Sequence, residues 1–312
     1  MKSAKFPATS VLWDKMTEKL PAYGGQAVVE GVMMRGQKAV AIAMRAPDDS
    51  IEIHREELRG LYRSRITRIP FLRGLVVLWD ALGLGIRALI ISVNVQLEEE
   101  GEEMGGAPLY LTLALSLGFA VVLFILTPAG VGYLFDTIFD FGSNAGLLAE
   151  GISRLAILVG YIWAIGFMPD VKRVFGYHGA EHKTINAFEA GAKLSPEIVR
   201  FFPLEHPRCG TAFLLTVVVA SILLFSLLPD MGFGYRLLSR LLLLPVIASL
   251  AYEYIRWTAG HMHWRVVRWI VIPNLALQRL TTREPSLRML EVAIAAFMAM
   301  RTAESEESAI EV

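Results

Sequence analysis

Two histidines four residues apart, His178 and His182, enclose a carboxylate in the string Gly176-Tyr177-His178-Gly179-Ala180-Glu181-His182-Lys183-Thr184. On an α-helix, positions i and i+4 lie about 40° apart, so both imidazoles reach a single ion, and Glu181 falls within roughly 100° of each. That set suits hydrolysis assisted by a divalent metal such as zinc, with Glu181 as general base. Three fixed residues in five make a modest motif, and a purely structural role for the same string competes with the catalytic one.

An ion needs further donors. Glu189 projects from the same helical face but about 10 Å beyond His182 on a continuous helix, too far to close the site. Better donors are His206 and Cys209, in Glu205-His206-Pro207-Arg208-Cys209, and Glu253, flanked by Tyr252 and Tyr254. Cys209 is the one cysteine, which excludes a disulfide framework and a multi-cysteine zinc ribbon. Each donor also has a plainer reading. His206 and Cys209 could form the interfacial entry to an apolar helix, and Glu253 could pair with Arg256 or Arg154. His261 and His263, among Trp257, Trp264 and Trp269, resemble an interfacial aromatic belt. Lys183 disfavours a cation beside it unless its ammonium points to lipid phosphate or substrate. The order H-x-x-E-H is also that of the inverted zincin peptidases.

The elements that must position these groups are apolar. Hydrophobic residues make up 54% of the 312 and charged ones 19%, against roughly 45–50% apolar in soluble domains. The expected fold is a mainly α, polytopic membrane protein. Four segments approach the roughly 20 residues that cross a bilayer: 109–128, 147–168, 211–228 and 237–257. A fifth, 74–97, is interrupted by Asp80 and Arg87 and reads as an amphipathic helix on the membrane surface. Thirty basic and thirty acidic residues cancel, which gives no sign of nucleic acid as partner and leaves membrane lipids as the expected one. The charges segregate, however. The connections 129–146 and 229–235 carry only aspartates, whereas the regions before 109, from 169 to 210 and after 257 are rich in Lys and Arg. By the positive-inside rule the latter three face the cytosol, with both termini. His178, His182, His206, Cys209 and Glu253 then fall near one membrane face.

Between residues 23 and 58, short β-rich runs at 26–34, 39–45 and 50–54 predict a small antiparallel meander on the cytosolic side, packed on helix ends or on the C-terminal segment. The expected organisation is an N-terminal segment 1–22, the β-rich region 23–58, a basic segment with the interfacial helix 59–108, and a four-helix membrane domain 109–257. A cytosolic segment 258–301 and a disordered acidic tail 302–312 complete it. No phosphate-binding Gly-rich loop and no nucleophile elbow are present.

Four strings together resemble a known family. Gly24 to Gly36 (GGQAVVEGVMMRG), His178 to Ala187 (HGAEHKTINA), His206 to Thr211 (HPRCGT) and Leu280 to Pro285 (LTTREP) are similar to the YqhQ-like family of bacterial membrane proteins. The resemblance extends from about Gly24 to Phe297 and implies a bacterial inner-membrane location. The family is a domain of unknown function loosely described as a predicted metal-dependent enzyme, so the resemblance supplies no substrate and no established catalytic residue. Two classes of function stand on these grounds: a cytosol-facing metal-dependent hydrolase, or a non-catalytic membrane scaffold, insertion or transport protein.

Overall fold

The computed structural model describes residues 23–58, 69–97, 105–139, 143–228 and 232–310. The N-terminal segment 1–22 and the arginines at 59, 63, 65 and 68 lie outside the described residues.

Four strands form an antiparallel meander in chain order: β1 (Gly24–Val28), β2 (Gly31–Arg35), β3 (Ala39–Arg45) and β4 (Ile51–Glu57). The run expected as a single first strand is split by a turn at Val29 and Glu30, where Glu30 takes φ +52° and Val28 pairs with Gly31. A Cβ at Gly31 would stand 2.3 Å from the Ala43 carbonyl oxygen, so the close approach of β2 to β3 requires glycine there. Strand β3 is buried along Ala39 to Met44 on both faces. Its near-continuous apolar run follows from cover on both sides.

One cover is α1 (Leu72–Leu97), which sets Ala88 and Val95 against Val28, Met33, Val40 and Ile42. Its other side exposes Trp79, Leu82 and Ile86. The segment is amphipathic, as its sequence indicates, and is also long and apolar enough to cross a membrane. The opposite face of the sheet packs Val32, Met34, Ala41 and Ala43 on Tyr177, Leu290, Ala293 and Phe297. These come from α5 (Pro169–Glu189) and the last helix, which runs Leu287–Ile310.

The apolar helices differ in detail from the four expected segments. Helix α2 (Gly106–Val121) passes through a π-helical turn at Val122–Leu126 into α3 (Thr127–Phe139), giving one apolar rod of 34 residues. The stretch after residue 128, expected as a connection, is therefore mostly helix. Pro128 offers no N–H to the carbonyl four residues back, and the wide turn sits just before it, with Thr127 Oγ1 donating to the Val122 carbonyl at 2.9 Å. Helix α4 (Ser143–Ile165) is a second long apolar helix, qualifying as a span over Ala145–Ile165. The 4-residue α6 (Pro196–Val199) precedes α7 (Thr211–Phe225), which has only 15 residues. Its length of about 22 Å is short of a bilayer core of about 30 Å, so the helix within the expected span 211–228 is shorter than a full crossing. Helices α8 (Phe233–Leu242) and α9 (Leu244–Gly260) make a pair bent by 44° with Pro245 in the first turn of α9. Among the described residues, three helices, or four counting the bent pair, have the length and apolarity of spans.

After α10 (Arg265–Thr281) comes α11, the Leu287–Ile310 helix. The acidic stretch from Thr302 is thus helical through Ile310, where composition suggests disorder. Glu304 explains part of the difference, because its Oε1 accepts the backbone N–H groups of Gln37 and Lys38 in the β2–β3 turn and ties the helix to the sheet.

Candidate metal centre

Helix α5 begins at Pro169, whose missing N–H costs nothing among the unpaired donors of a first turn. From Phe175 onward it is buried against β1, β2 and α11, despite carrying Glu181, His182, Lys183, Asn186 and Glu189. Polar groups buried in this way need partners. Lys183 Nζ donates to the Arg200 carbonyl and to Glu284 Oε1, both at 2.6 Å, which turns its charge away from the histidines. Asn186 Nδ2 donates to the carbonyls of Pro203 (2.9 Å) and Glu205 (3.1 Å), and Glu189 takes the guanidinium of Arg208. These bonds fasten the segment 200–209 along the helix. On another side, a Cβ at Gly179 would lie 2.2 Å from the Arg283 carbonyl oxygen, so bare backbone is needed where residues 281–285 cross.

The two imidazoles meet edge to face one turn apart, with ring centroids at 4.4 Å and ring planes at 65°. His178 Nδ1 is 2.8 Å from the carbonyl oxygen of Thr281, the last residue of α10. His182 Nδ1 meets the Leu204 carbonyl. Carbonyls only accept, so both Nδ1 atoms carry hydrogen and both Nε2 atoms are left to face inward. His178 Nε2 lies 3.2 Å from Cys209 Sγ, while His182 Nε2 is buried with no hydrogen-bond partner. One ligand atom from each of His178, His182 and Cys209 falls within 4.8 Å of the others. Donors around a tetrahedral zinc stand roughly 3.3–3.6 Å apart at standard bond lengths, so a contraction of about 1 Å would complete the grip. The donor chemistry, the fixed Nδ1 partners and the orphaned Nε2 all fit such an ion.

The electrostatics are those of a coupled site. Burial pushes the His178 imidazole down, but its hydrogen bond to Cys209 and the charges of Cys209 and Glu181 outweigh it and raise its pKa to about 9. For Cys209 burial acts upward, and His182 and His178 overcome it to hold the thiol well below its usual range. Glu181, 5% exposed, is raised by burial. Its carboxyl lies against β1, where a Cβ on Gly25 would come within 3.0 Å of both Glu181 Cγ and Cδ.

His206 is brought beside His182, with ring centroids 5.8 Å apart, but is not one of the three clustered donors. Its Nε2 faces Glu189 Oε2 at 3.5 Å, and burial, seconded by His182, lowers its pKa to about 4. Glu253 is placed elsewhere. It takes Arg73 Nε at 2.6 Å and the Phe71 N–H at 3.1 Å, joining α9 to the start of α1. His261 stacks on Trp257 with centroids at 5.0 Å and packs against Trp264. Gly25, Gln278 and Thr281 also shape the centre, and their contributions are a vacant side chain, an amide clamp and a backbone carbonyl.

The chain that folds in this way falls within a family defined by sequence. Residues 69–303 match the family described as "Protein of unknown function (DUF1385)", and the chain belongs to it. It is 34% identical over 291 residues to "Uncharacterized protein YqhQ" from Bacillus subtilis (strain 168), covering 89% of this chain and 91% of that relative. The resemblance read from the motifs is thereby borne out. Neither description carries an activity, so the comparisons lend no support to the metal-dependent label. No solved structure matches the chain.

Proposed function

We propose that this protein is a membrane-embedded, metal-dependent enzyme of hydrolase type, its ion held by His178, His182 and Cys209 and its general base supplied by Glu181. The observation that carries this reading is the orphaned, buried Nε2 of His182, aimed into a cluster whose other two donors are already in place. A divalent ion such as zinc would supply Lewis acidity there, and three protein donors leave a position for substrate. The chain's own residues do the rest. Thr281 and Leu204 orient the imidazoles, and Glu181, its pKa raised by burial, is a stronger base than an exposed carboxylate. The distribution of arginines supports a cytosol-facing centre in a bacterial inner membrane, and the neighbouring apolar helices favour a lipid-linked or membrane-proximal substrate.

Thermal unfolding in detergent after chelation, with and without added zinc, tests the reading. An ion at about 1,000 times its dissociation constant stabilises the folded state by about 4 kcal/mol. The parent melts several degrees higher with zinc, and His182→Ala shows no such rise. An equal response in both would refute the site.

The 3.2 Å contact between His178 and Cys209 favours a second reading, a cysteine nucleophile with His178 as its base. Under that reading an alkylating agent modifies Cys209 rapidly whether or not zinc is present. Under the first, zinc protects it.

A further inference from the structure

Away from this centre, α4, α7 and α8 bury a set of charges that the proposed chemistry does not use. Glu150 (2% exposed) accepts Arg154 Nη2 at 2.9 Å on one oxygen, and Arg240 at 3.0 and 2.7 Å through Nε and Nη2. Arg154 Nη1 donates to Ser221 Oγ at 2.7 Å, and both guanidinium groups lie over the ring of Phe225, at 5.1 and 4.3 Å from its centroid. One carboxylate is thus shared by two guanidinium groups, leaving this trio with one positive charge in excess. Arg154 Nε is buried and has no hydrogen-bond partner. Unmatched charge at this depth is costly and marks a functional feature by default.

Arg154 and Arg240 line one end of a cavity of about 640 Å³ whose remaining wall is almost entirely apolar, with Phe124, Leu158, Ile162 and Val218 along its length. Thr211 and Thr281 lie at the other end. Along α7, Thr211 and Phe225 are separated by about 21 Å, which sets the length of the cavity. An apolar cavity of that length accepts one extended hydrocarbon chain. The volume falls within the roughly 300–1,000 Å³ of ligand sites.

From this we infer a binding site for a long-chain anionic amphiphile, its hydrocarbon chain filling the cavity and its carboxylate or phosphate completing the charge balance at Arg154 and Arg240. The chain end reaches Thr281, whose carbonyl orients His178, so the lipid site and the candidate metal centre share a wall. The inference does not depend on a metal being bound.

The test uses full-length protein in phosphatidylcholine nanodiscs, titrated with the fluorescent fatty acid cis-parinaric acid and challenged with oleate, oleoyl lysophosphatidate or oleyl alcohol. Saturable binding is expected, displaced by one or both anionic ligands at concentrations about tenfold or more below those needed with the alcohol. The stronger of the two anions identifies the headgroup. Arg154→Gln leaves Glu150 and Arg240 matched one to one and should weaken binding about tenfold. Ala120→Phe fills the cavity and should abolish it. Protein treated with a chelator should bind as the untreated protein does, so failure of the metal reading leaves this result intact. Equal displacement by alcohol and anions, or parent-like binding by Ala120→Phe, would overturn the inference. Should Arg154→Gln fail to fold, the alcohol comparison and Ala120→Phe still decide.

Discussion

Gln278 grips His206 by both polar groups of its backbone. Its Oε1 accepts the His206 N–H at 2.9 Å and its Nε2 donates to the His206 carbonyl at 2.9 Å. The side-chain amide acts here as a neighbouring strand would, fixing the short segment that delivers Cys209 to the histidines. Gln278→Leu leaves the buried His206 N–H unpaired and its carbonyl with only the Cys209 N–H, and should cost about 1–3 kcal/mol by denaturant unfolding. Because the amide positions a ligand-bearing loop, the same variant should lower zinc affinity by about 10–100-fold in competition with a chelator.

Gly25 makes room for Glu181. A Cβ there meets the Met33 carbonyl oxygen at 2.5 Å and the Glu181 side chain at 3.0 Å, and the backbone partner cannot yield without disturbing the β1–β2 pairing. Gly25→Ala is expected to destabilise the fold by about 1–3 kcal/mol, as overpacking does. Glu181→Ala in the same chain relieves only the side-chain clash, so a thermal melt of the double variant should recover part of the loss. Full additivity would argue against contact between the two.

His206 imposes a pH dependence on the metal-free protein. Its pKa falls from 6.5 unfolded to about 4 folded, through burial and then His182. Between those values the unfolded chain takes up a proton that the folded one does not, so stability is complete above pH 6.5 and declines as pH falls toward 4. The decline attributable to this group is about 3 kcal/mol. His206→Asn should flatten the stability profile in that window, as read by urea midpoints at pH 7 and pH 4.5.

Glu253 serves as a control. Its carboxylate bridges α9 to Arg73 and the Phe71 N–H, and is not among the clustered donors. Glu253→Gln should leave zinc stoichiometry unchanged and cost about 1 kcal/mol or less in stability, the scale of a partly exposed ion pair.

Which parts of the site were readable from the chain follows from the physics of each residue. His178, Glu181 and His182 share one helix, and helical geometry alone predicts their proximity. Cys209 depends on the level at which an apolar helix starts, which charge distribution indicates. Glu253 occupies a similar predicted level, but level does not specify lateral position, and Arg73 captures it from α1. Gly25, Thr281 and Gln278 contribute space, a carbonyl and a backbone clamp, and none of those roles leaves a mark on residue type. In the fold, the apolar segments and the meander were legible. The Val29–Glu30 turn was not, since neither residue is a usual hairpin former, and the helical end of α11 depends on a long-range contact made by Glu304.

The central claim is that His178, His182 and Cys209 hold a metal ion, and elemental analysis of the purified protein tests it most directly. The full chain, extracted in mild detergent without chelators, should carry about one divalent ion per chain. The His178→Ala plus His182→Ala variant, matched for folding by circular dichroism, should carry essentially none. A parent protein without stoichiometric metal, or a variant that retains it, would contradict the account.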